Sequence, residues 1–283
     1  MDILTDAAID TLKLLPFLFI TYLAMEAIEH KLGDAAEAGI QKAGGAGPLV
    51  GALVGAFPQC GFSAAASTLY AARVITVGTL FSVYLATSDE MLPILIAEQA
   101  DPLMIAKILG AKVVIGMLTG FMVDALVRAI GKKTDRHFHI HDLCEQKHCE
   151  CEHGIFRSAL NHTVQVTLFI FLITLVLNGI IEGIGEEALA GFMSSQSVLS
   201  VCAAALVGLI PNCAASVVIT ELFLEGTIGS GAMMAGLLVS AGVGLLVLFR
   251  ANRPMKLNLL ILAVLWAVGV LWGLGIDALG IVF

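Results

Sequence analysis

Long apolar stretches dominate this sequence, and they determine whether the folded chain is suited to water or to a lipid bilayer. Of 283 residues, 58% are hydrophobic and only 13% are charged, so the chain has more apolar surface than a soluble domain of this size can bury. The stretches long enough to cross about 30 Å of hydrocarbon as single helices include Thr11–Ile28, Val164–Ile184, Ser230–Phe249 and Leu257–Ile281. We therefore predict an all-α, multi-pass membrane protein whose main partner is the lipid bilayer. The net charge of −8 does not indicate a nucleic-acid partner.

The sequence also repeats itself. The segment VGAFPQCGFS at Val54–Ser63 resembles VGLIPNCAAS at Val207–Ser216, which starts 153 residues later. The same spacing, without gaps, aligns further acids and glycines: Glu29 with Glu182, Gly120 with Gly273 and Asp124 with Asp277. We therefore divide the chain into two duplicated transmembrane halves, residues 1–130 and 154–283, which a polar insert at 131–153 connects.

Each half is predicted to contain three spanning helices and one apolar segment that a proline interrupts. In chain order, the interrupted segments are Leu49–Tyr70 and Val198–Leu224, the second spans are Val74–Ala97 and Ser230–Phe249, and the third spans are Pro102–Ile130 and Met255–Ile281. Proline disrupts a helix, and the residues from Leu49 to Phe57 rise only about 14 Å as a helix. The segment therefore either turns back at Pro58 as a re-entrant hairpin or continues as a kinked span.

Basic residues favour the hairpin. Arg128, Lys132 and Lys133 lie close to a span end, and such residues accumulate in short cytoplasmic loops. Hairpins place the other basic loops on that same side, whereas kinked spans would move the basic run Arg250–Lys256 outside. We therefore predict three crossings per half, halves that are inverted relative to each other, and both termini outside a prokaryotic cytoplasmic membrane.

Polar and sulfur-bearing residues mark both proline breaks. They are Gln59, Cys60 and Ser63 in the first half and Asn212, Cys213 and Ser216 in the second. Inverted repeats with broken helices commonly place a binding site near the membrane midplane, where the halves meet. We therefore predict that these residues belong to an ion-binding site, although both cysteines also suit packing in tight hairpin tips.

Acidic residues inside the predicted spans extend this site. Asp89 and Glu90 lie within the second span, and Glu221 follows the second proline break. Ionisable groups at such depth are costly, so they indicate function, unless the span begins later and places Asp89 and Glu90 at an interface. Their repeat counterparts are Gly242 and Val243, so symmetry does not explain the pair. Carboxylate and amide oxygens suit Mn²⁺, and thiolates suit softer metals.

The polar insert has the composition of a metal-binding segment. Its candidate ligands are His137, His139, His141, Cys144, His148, Cys149, Cys151 and His153. Imidazole and thiolate groups are the usual ligands of Zn²⁺ and related ions, but the spacing fits no standard finger, so the prediction is compositional. We expect this loop to gather or sense metal in the cytosol. A solvated linker is the alternative.

The pattern resembles a known family. Three features of the chain resemble those of the ten-segment heavy-metal exporters. They are the proline breaks at Phe57–Gly61 and Ile210–Cys213, the acids of Ser88–Glu90 and the His/Cys-rich middle loop. These are arsenic-efflux-like permeases, also described as manganese transporters. The resemblance covers essentially the whole chain and implies export of a metal from the cytosol.

We interpret the chain as a secondary transporter that exports a divalent transition metal, such as Mn²⁺, by alternating access. The metal is the substrate, and we predict no tightly bound cofactor. No nucleotide-binding loop of the G-x-x-x-x-G-K-[ST] type occurs, so an ion gradient is the expected energy source. The alternatives are an arsenite or organoarsenical permease that uses the paired cysteines, and a membrane-anchored metal sensor. We do not predict an enzyme, and a homo-oligomer is compatible with the sequence.

Overall fold

The computed structural model describes residues 45–58, 60–88, 91–130 and 198–283 continuously, with isolated positions between 8 and 23 and between 156 and 176. These ranges contain helices and connecting turns, and no strand occurs in them. The insert at 131–153 and most of the first predicted span of each half lie outside the described residues. The division into two halves and a loop therefore stays a prediction at those places.

Ten helices lie within the continuous ranges. In the first half they are α1 (Gly47–Gly55), α2 (Cys60–Ala71), α3 (Val77–Ala86), α4 (Met91–Ala97) and α5 (Pro102–Ala129). In the second half they are α6 (Val198–Gly208), α7 (Cys213–Leu224), α8 (Ser230–Val239), α9 (Val243–Ala251) and α10 (Met255–Ala278).

The helices α5 and α10 are the outer spans of the described part. They have 28 and 24 residues, which corresponds to about 42 and 36 Å, enough to cross a bilayer. Only 33% of their most apolar window is buried, compared with 89% for the segment Ser230–Ala251. Large apolar side chains such as Met122 and Leu271 are exposed on them, as expected for surfaces that contact lipid. The described ranges are therefore helical, with apolar helices of membrane-spanning length, as predicted.

The two second spans differ from the expectation, because each is divided into two helices. α3 ends at Ala86, the backbone of Thr87 and Ser88 is not helical, and α4 begins at Met91. α8 ends at Val239, and Gly242 precedes α9 with a φ of 51°, a conformation that suits glycine. Both segments are still long and apolar enough to span a membrane, as predicted, and hydropathy did not indicate the interruption because its flanks stay apolar.

The helix boundaries follow the spacing of the sequence repeat. α2 and α7 begin at Cys60 and Cys213 and both have 12 residues. α3 and α8 both have 10 residues and also begin 153 positions apart, as do α5 and α10. In the first half, α1 lies along α3 in the same direction: Gly47 abuts Thr79, and Gly55 abuts Val83 and Ala86.

A buried carboxylate joins α3 to α5, and its repeat counterpart joins α8 to α10. Asp124 Oδ1 accepts a hydrogen bond from the Gly78 backbone N–H (2.9 Å), and Asp277 Oδ1 accepts one from the Gly231 N–H (2.8 Å). Both acids thus satisfy a backbone donor that the first turn of a helix leaves without a partner, and a negative charge there also complements the helix dipole. Each of these aligned acids therefore fixes the start of an inner helix.

We expect Asp124→Ala and Asp277→Ala each to lower the free energy of unfolding by about 0.5–2 kcal/mol, the range for loss of a helix cap. Thermal melting of the protein in detergent measures this. Glu98→Ala, which removes an exposed acid, is the control that should leave the melting temperature unchanged. Melting temperatures equal to that of the control would contradict a capping role.

Candidate functional site

Four interruptions of helical structure come together where the two halves meet. Two are the proline breaks between α1 and α2 and between α6 and α7, and two are the breaks that divide α3 from α4 and α8 from α9. α3 contacts α8, α2 packs against α9, and α7 packs against α4. In each half, the helix that follows the proline break is α2 or α7. α2 therefore packs on α9, which follows the α8–α9 break of the other half, and α7 packs on α4, which follows the α3–α4 break.

Ser63 is one of the predicted site residues that the structure places at this junction. Its side chain is fully buried, and a Cβ built on Gly244, in the first turn of α9, would lie only 2.8 Å from the Cβ of Ser63. Four residues further, Ser67 Oγ lies 2.7 Å from the Gly244 carbonyl oxygen and 2.6 Å from the Tyr84 hydroxyl. Buried hydroxyl groups of the first half thus hold the start of α9, next to the break between α8 and α9.

Asn212 and Ser216 occupy the corresponding place in the second half. Asn212 is buried and caps α7: its backbone is extended (φ −144°, ψ 145°), and its Oδ1 accepts from the Ala214 N–H at 3.3 Å. Ser216 is also buried, and its carbonyl accepts from Thr220 Oγ1 at 2.7 Å. The capping contact gives Asn212 a structural role that the sequence prediction did not include.

The other predicted site residues are an exposed acid and a group that lies outside the described residues. Glu221 lies on the exposed side of α7. Gln59, Asp89 and Glu90 lie outside the described residues, as do the side chains of Cys60 and Cys213. So do all the candidate loop ligands, His137, His139, His141, Cys144, His148, Cys149, Cys151 and His153. In the part of the chain that the structure describes, no group of three or more His, Cys, Asp or Glu side chains could hold a metal ion. The proposed ligand set therefore stays a prediction.

Lys112 is a charged residue that the sequence analysis missed. It lies in the middle of α5, its side chain is only 1% exposed, and its Nζ donates to the Leu237 carbonyl of α8 at 2.6 Å. The signal available in the sequence was a lysine inside an apolar span. The repeat counterpart of this lysine is Leu265. Only acids had been considered at that depth, although a buried cation is equally costly.

One hydrogen bond joins two residues that are repeat counterparts of each other. Trp272 Nε1 donates to Thr119 Oγ1 at 3.1 Å, and the two positions are 153 residues apart. When two equivalent units are related by a two-fold axis, equivalent residues meet only at that axis. The contact therefore marks where such an axis would pass between α5 and α10.

The apolar helices of spanning length indicate a multi-pass membrane protein. Interrupted helices inside such a protein must be buried in protein or line a cavity, and transporters commonly use them in this way. The chain matches the family described as "Putative, 10TM heavy-metal exporter" over residues 2–161 and 150–281. It belongs to that family, which confirms the resemblance found in the sequence. The comparisons with curated proteins and with solved structures gave no match.

Proposed function

We propose that the protein exports a divalent transition metal ion, with Mn²⁺ the first candidate, across a prokaryotic cytoplasmic membrane by alternating access. The observation that carries this proposal is the meeting of four helix interruptions between the two halves. Broken helices present N–H and carbonyl groups that have no partner within the helix, and such groups bind substrates and ions in other transporters. Membership of the exporter family supports export as the direction of transport.

The course of α2 supports a re-entrant hairpin with its tip at Pro58. α1 and α3 run in the same direction side by side, so α1 ends near the far end of α3. Only the residues 72–76 connect α2 to the start of α3, and that connection reaches about 20 Å at most. A continuing α2 of twelve residues would move about 18 Å further away. A helix that returns toward the start of α3 satisfies the connection.

An inverted relation of the two halves is proposed on two grounds. Each half contributes an odd number of predicted crossings, which reverses the direction of the second half. The Thr119–Trp272 hydrogen bond is the contact expected near a two-fold axis. An axis in the membrane plane is the arrangement typical of transporters with inverted repeats.

The proposed ligands are chosen by their position in the sequence. Asp89 and Glu90 fall between Ser88, where α3 has ended, and Met91, where α4 begins. α7, which begins at the second proline break, packs against α4. We propose that Asp89 and Glu90 bind the metal. The remaining ligands would come from the residues of the two tips, Gln59, Cys60, Ser63, Asn212, Cys213 and Ser216. Glu221 stays outside this set because its side chain lies on the exposed side of α7.

Uptake of metals into inside-out vesicles tests the proposed function. Vesicles that contain the protein, energised by an ion gradient, should accumulate Mn²⁺ above the level of vesicles without it, and a panel of other divalent ions should rank below or beside Mn²⁺. Lack of accumulation of every divalent ion in the panel would overturn the proposal.

Arsenite efflux is the second candidate, because Cys60 and Cys213 begin the equivalent helices α2 and α7. If arsenite is the substrate, Cys60→Ser or Cys213→Ser should abolish its uptake into inside-out vesicles, because trivalent arsenic binds through thiolates. Cys202→Ser is the matched control, since Cys202 lies within α6, away from both breaks. Full arsenite transport by both tip variants would contradict this alternative.

Deleting residues 136–153 is expected to weaken the apparent affinity for metal at the cytosolic face by about tenfold, while transport at saturating metal continues. The reason is that imidazole and thiolate groups concentrate metal near the entrance without forming the path. The measurement is the concentration dependence of Mn²⁺ uptake. Complete loss of transport, with normal amounts of folded protein, would show that the loop belongs to the path.

A further inference from the structure

The helices α2 and α9 come from different halves of the chain, yet each packs closely on the other. Among the described helices, α2 contacts α9 more extensively than it contacts α1 or α3, and α9 contacts α2 more extensively than it contacts α10. At their closest approach, a Cβ built on Gly244 would lie 2.8 Å from the Cβ of Ser63, and Ser67 Oγ lies 2.7 Å from the Gly244 carbonyl oxygen. Helices that interlock in this way resist sliding past each other. We call them the α2–α9 pair.

The α2–α9 pair has a small hydrophobic core of its own. Its buried members are Ala64 of α2, Val243 and Val247 of α9, and Ile170, with Phe19, Leu23 and Phe169 packed against them. This cluster is separate from the main core, which contains the buried apolar residues of α3, α5, α8 and α10. The other sides of the two helices, with Tyr70 and Leu248, face the main core. The pair therefore packs on the main core without being part of its centre.

Non-helical segments connect the α2–α9 pair to its neighbours in the chain. Residues 72–76 lead from α2 to α3, residues 240–242 lead from α8 to α9, and residues 252–254 lead from α9 to α10. Two of these segments contain a residue with positive φ, Arg73 at 63° and Gly242 at 51°. The ends of helices and the loops between them are the places that absorb changes of dihedral angle when packed units move. The connections therefore allow the pair to move as a body.

Tyr84 of α3 is hydrogen-bonded to both helices of the pair. Its side chain is fully buried, and its hydroxyl oxygen lies 2.6 Å from Ser67 Oγ and 3.2 Å from the Gly244 carbonyl oxygen. The tyrosine proton can be donated directly to the Gly244 carbonyl. It can also be donated to Ser67 Oγ, which then donates its own proton to that carbonyl. Either arrangement ties α3 to the pair through the same hydroxyl group.

The second half cannot form the equivalent link. The repeat counterparts of Tyr84 and Ser67 are Leu237 and Thr220. Leucine has no hydroxyl group, and Thr220 Oγ1 donates to a carbonyl within its own helix, α7. The buried apolar residues of α7 and α4, the helices equivalent to α2 and α9, belong to the main core. The separate core and the tyrosine link are thus properties of one pair and are not repeated in the other.

We propose that the α2–α9 pair moves as one unit relative to α3, and that the Tyr84 hydroxyl is the latch that holds it in the present conformation. The role of this movement in alternating access rests on the proposed function, since transporters of this type move one group of helices against another. α2 follows the proline break at Pro58, and α9 follows the break at Gly242. Movement of the pair would therefore displace one break of each half in the same step.

Hydrogen exchange of backbone amides tests the latch, followed by mass spectrometry on the purified full-length protein in detergent without added metal. Tyr84→Phe keeps the ring and removes the hydroxyl. Exchange in α2 and α9 should then rise together by about three- to tenfold, the usual effect of one hydrogen bond on such an opening, while exchange in α5 stays unchanged. Tyr70→Phe is the matched control, because Tyr70 is also buried but its ring lies beside Arg73, which directly follows α2. This control should exchange like the wild type.

Three results would contradict the proposal. Wild-type exchange in the Tyr84→Phe variant would overturn the latch. A rise in α9 without α2 would overturn the common unit, and an equal rise in α5 would indicate general destabilisation and overturn both. Failure of the proposed function has a different signature: vesicles that contain the wild type would accumulate no divalent ion. The exchange experiment needs no metal, so it would still decide whether α2 and α9 open as one unit.

Discussion

Asp89→Asn is expected to reduce Mn²⁺ uptake into inside-out vesicles by about a hundredfold or more, which corresponds to about 2.7 kcal/mol of lost interaction with the ion. The change removes a negative charge and one hard oxygen ligand, the features that Mn²⁺ selects. It alters the volume of the side chain very little, so the break between α3 and α4 should keep its conformation.

Glu98→Gln is the matched control for this variant. Glu98 follows α4, on the same side of the break as Met91, but its side chain is exposed, so its neutralisation should leave uptake unchanged. Both variants are compared at equal amounts of protein in the vesicles. Wild-type uptake by Asp89→Asn would remove Asp89 from the metal site.

Gly244→Ala is expected to lower the free energy of unfolding by about 1–3 kcal/mol, the usual effect of overpacking a buried contact. The new methyl group would lie 2.8 Å from the Cβ and 2.9 Å from the carbonyl carbon of Ser63, and the backbone of α2 cannot move away easily. It would also separate the Gly244 carbonyl from Ser67 and Tyr84, whose hydroxyl groups it now engages. The loss is measured as a fall in melting temperature.

Gly110→Ala provides the comparison, because a Cβ there has no heavy atom within 4 Å. That change should be neutral or should stabilise the helix by up to about 1 kcal/mol, the difference in helix propensity. Ser63→Gly in the Gly244→Ala background should restore part of the stability, since it removes two of the three close atoms. Equal melting temperatures for Gly244→Ala and Gly110→Ala would contradict the close approach of α2 and α9.

The sequence predicted the helices that follow the proline breaks better than any other part of the fold. Proline and the repeated motif are local signals, so the two breaks could be located from residues that are adjacent in the chain, and α2 and α7 begin directly after them, at Cys60 and Cys213. The repeat aligns Asp124 with Asp277, and this alignment likewise indicated that the two acids share a structural role. Both acids bind the first turn of an inner helix.

Reasoning from local sequence signals could not predict the breaks within the second spans or the residues that neighbour the site. Thr87 and Ser88 end α3 inside a segment whose mean hydropathy still fits a membrane span, and mean hydropathy does not separate such a segment from a continuous helix. The contact between Ser67 and Gly244 joins residues 177 positions apart. Such a contact depends on how the two halves pack, which the periodicity of either half alone does not reveal.

The fusion of the halves into one chain has a consequence for charge at the centre. If two identical half-length chains formed a homodimer of this kind, every residue would occur twice. Such a pair of subunits would place either two lysines or none at the level where Lys112 faces Leu237. A covalently joined chain is free to keep a single ammonium on one side and Leu265 on the other, an imbalance that no symmetric dimer of one gene product could hold.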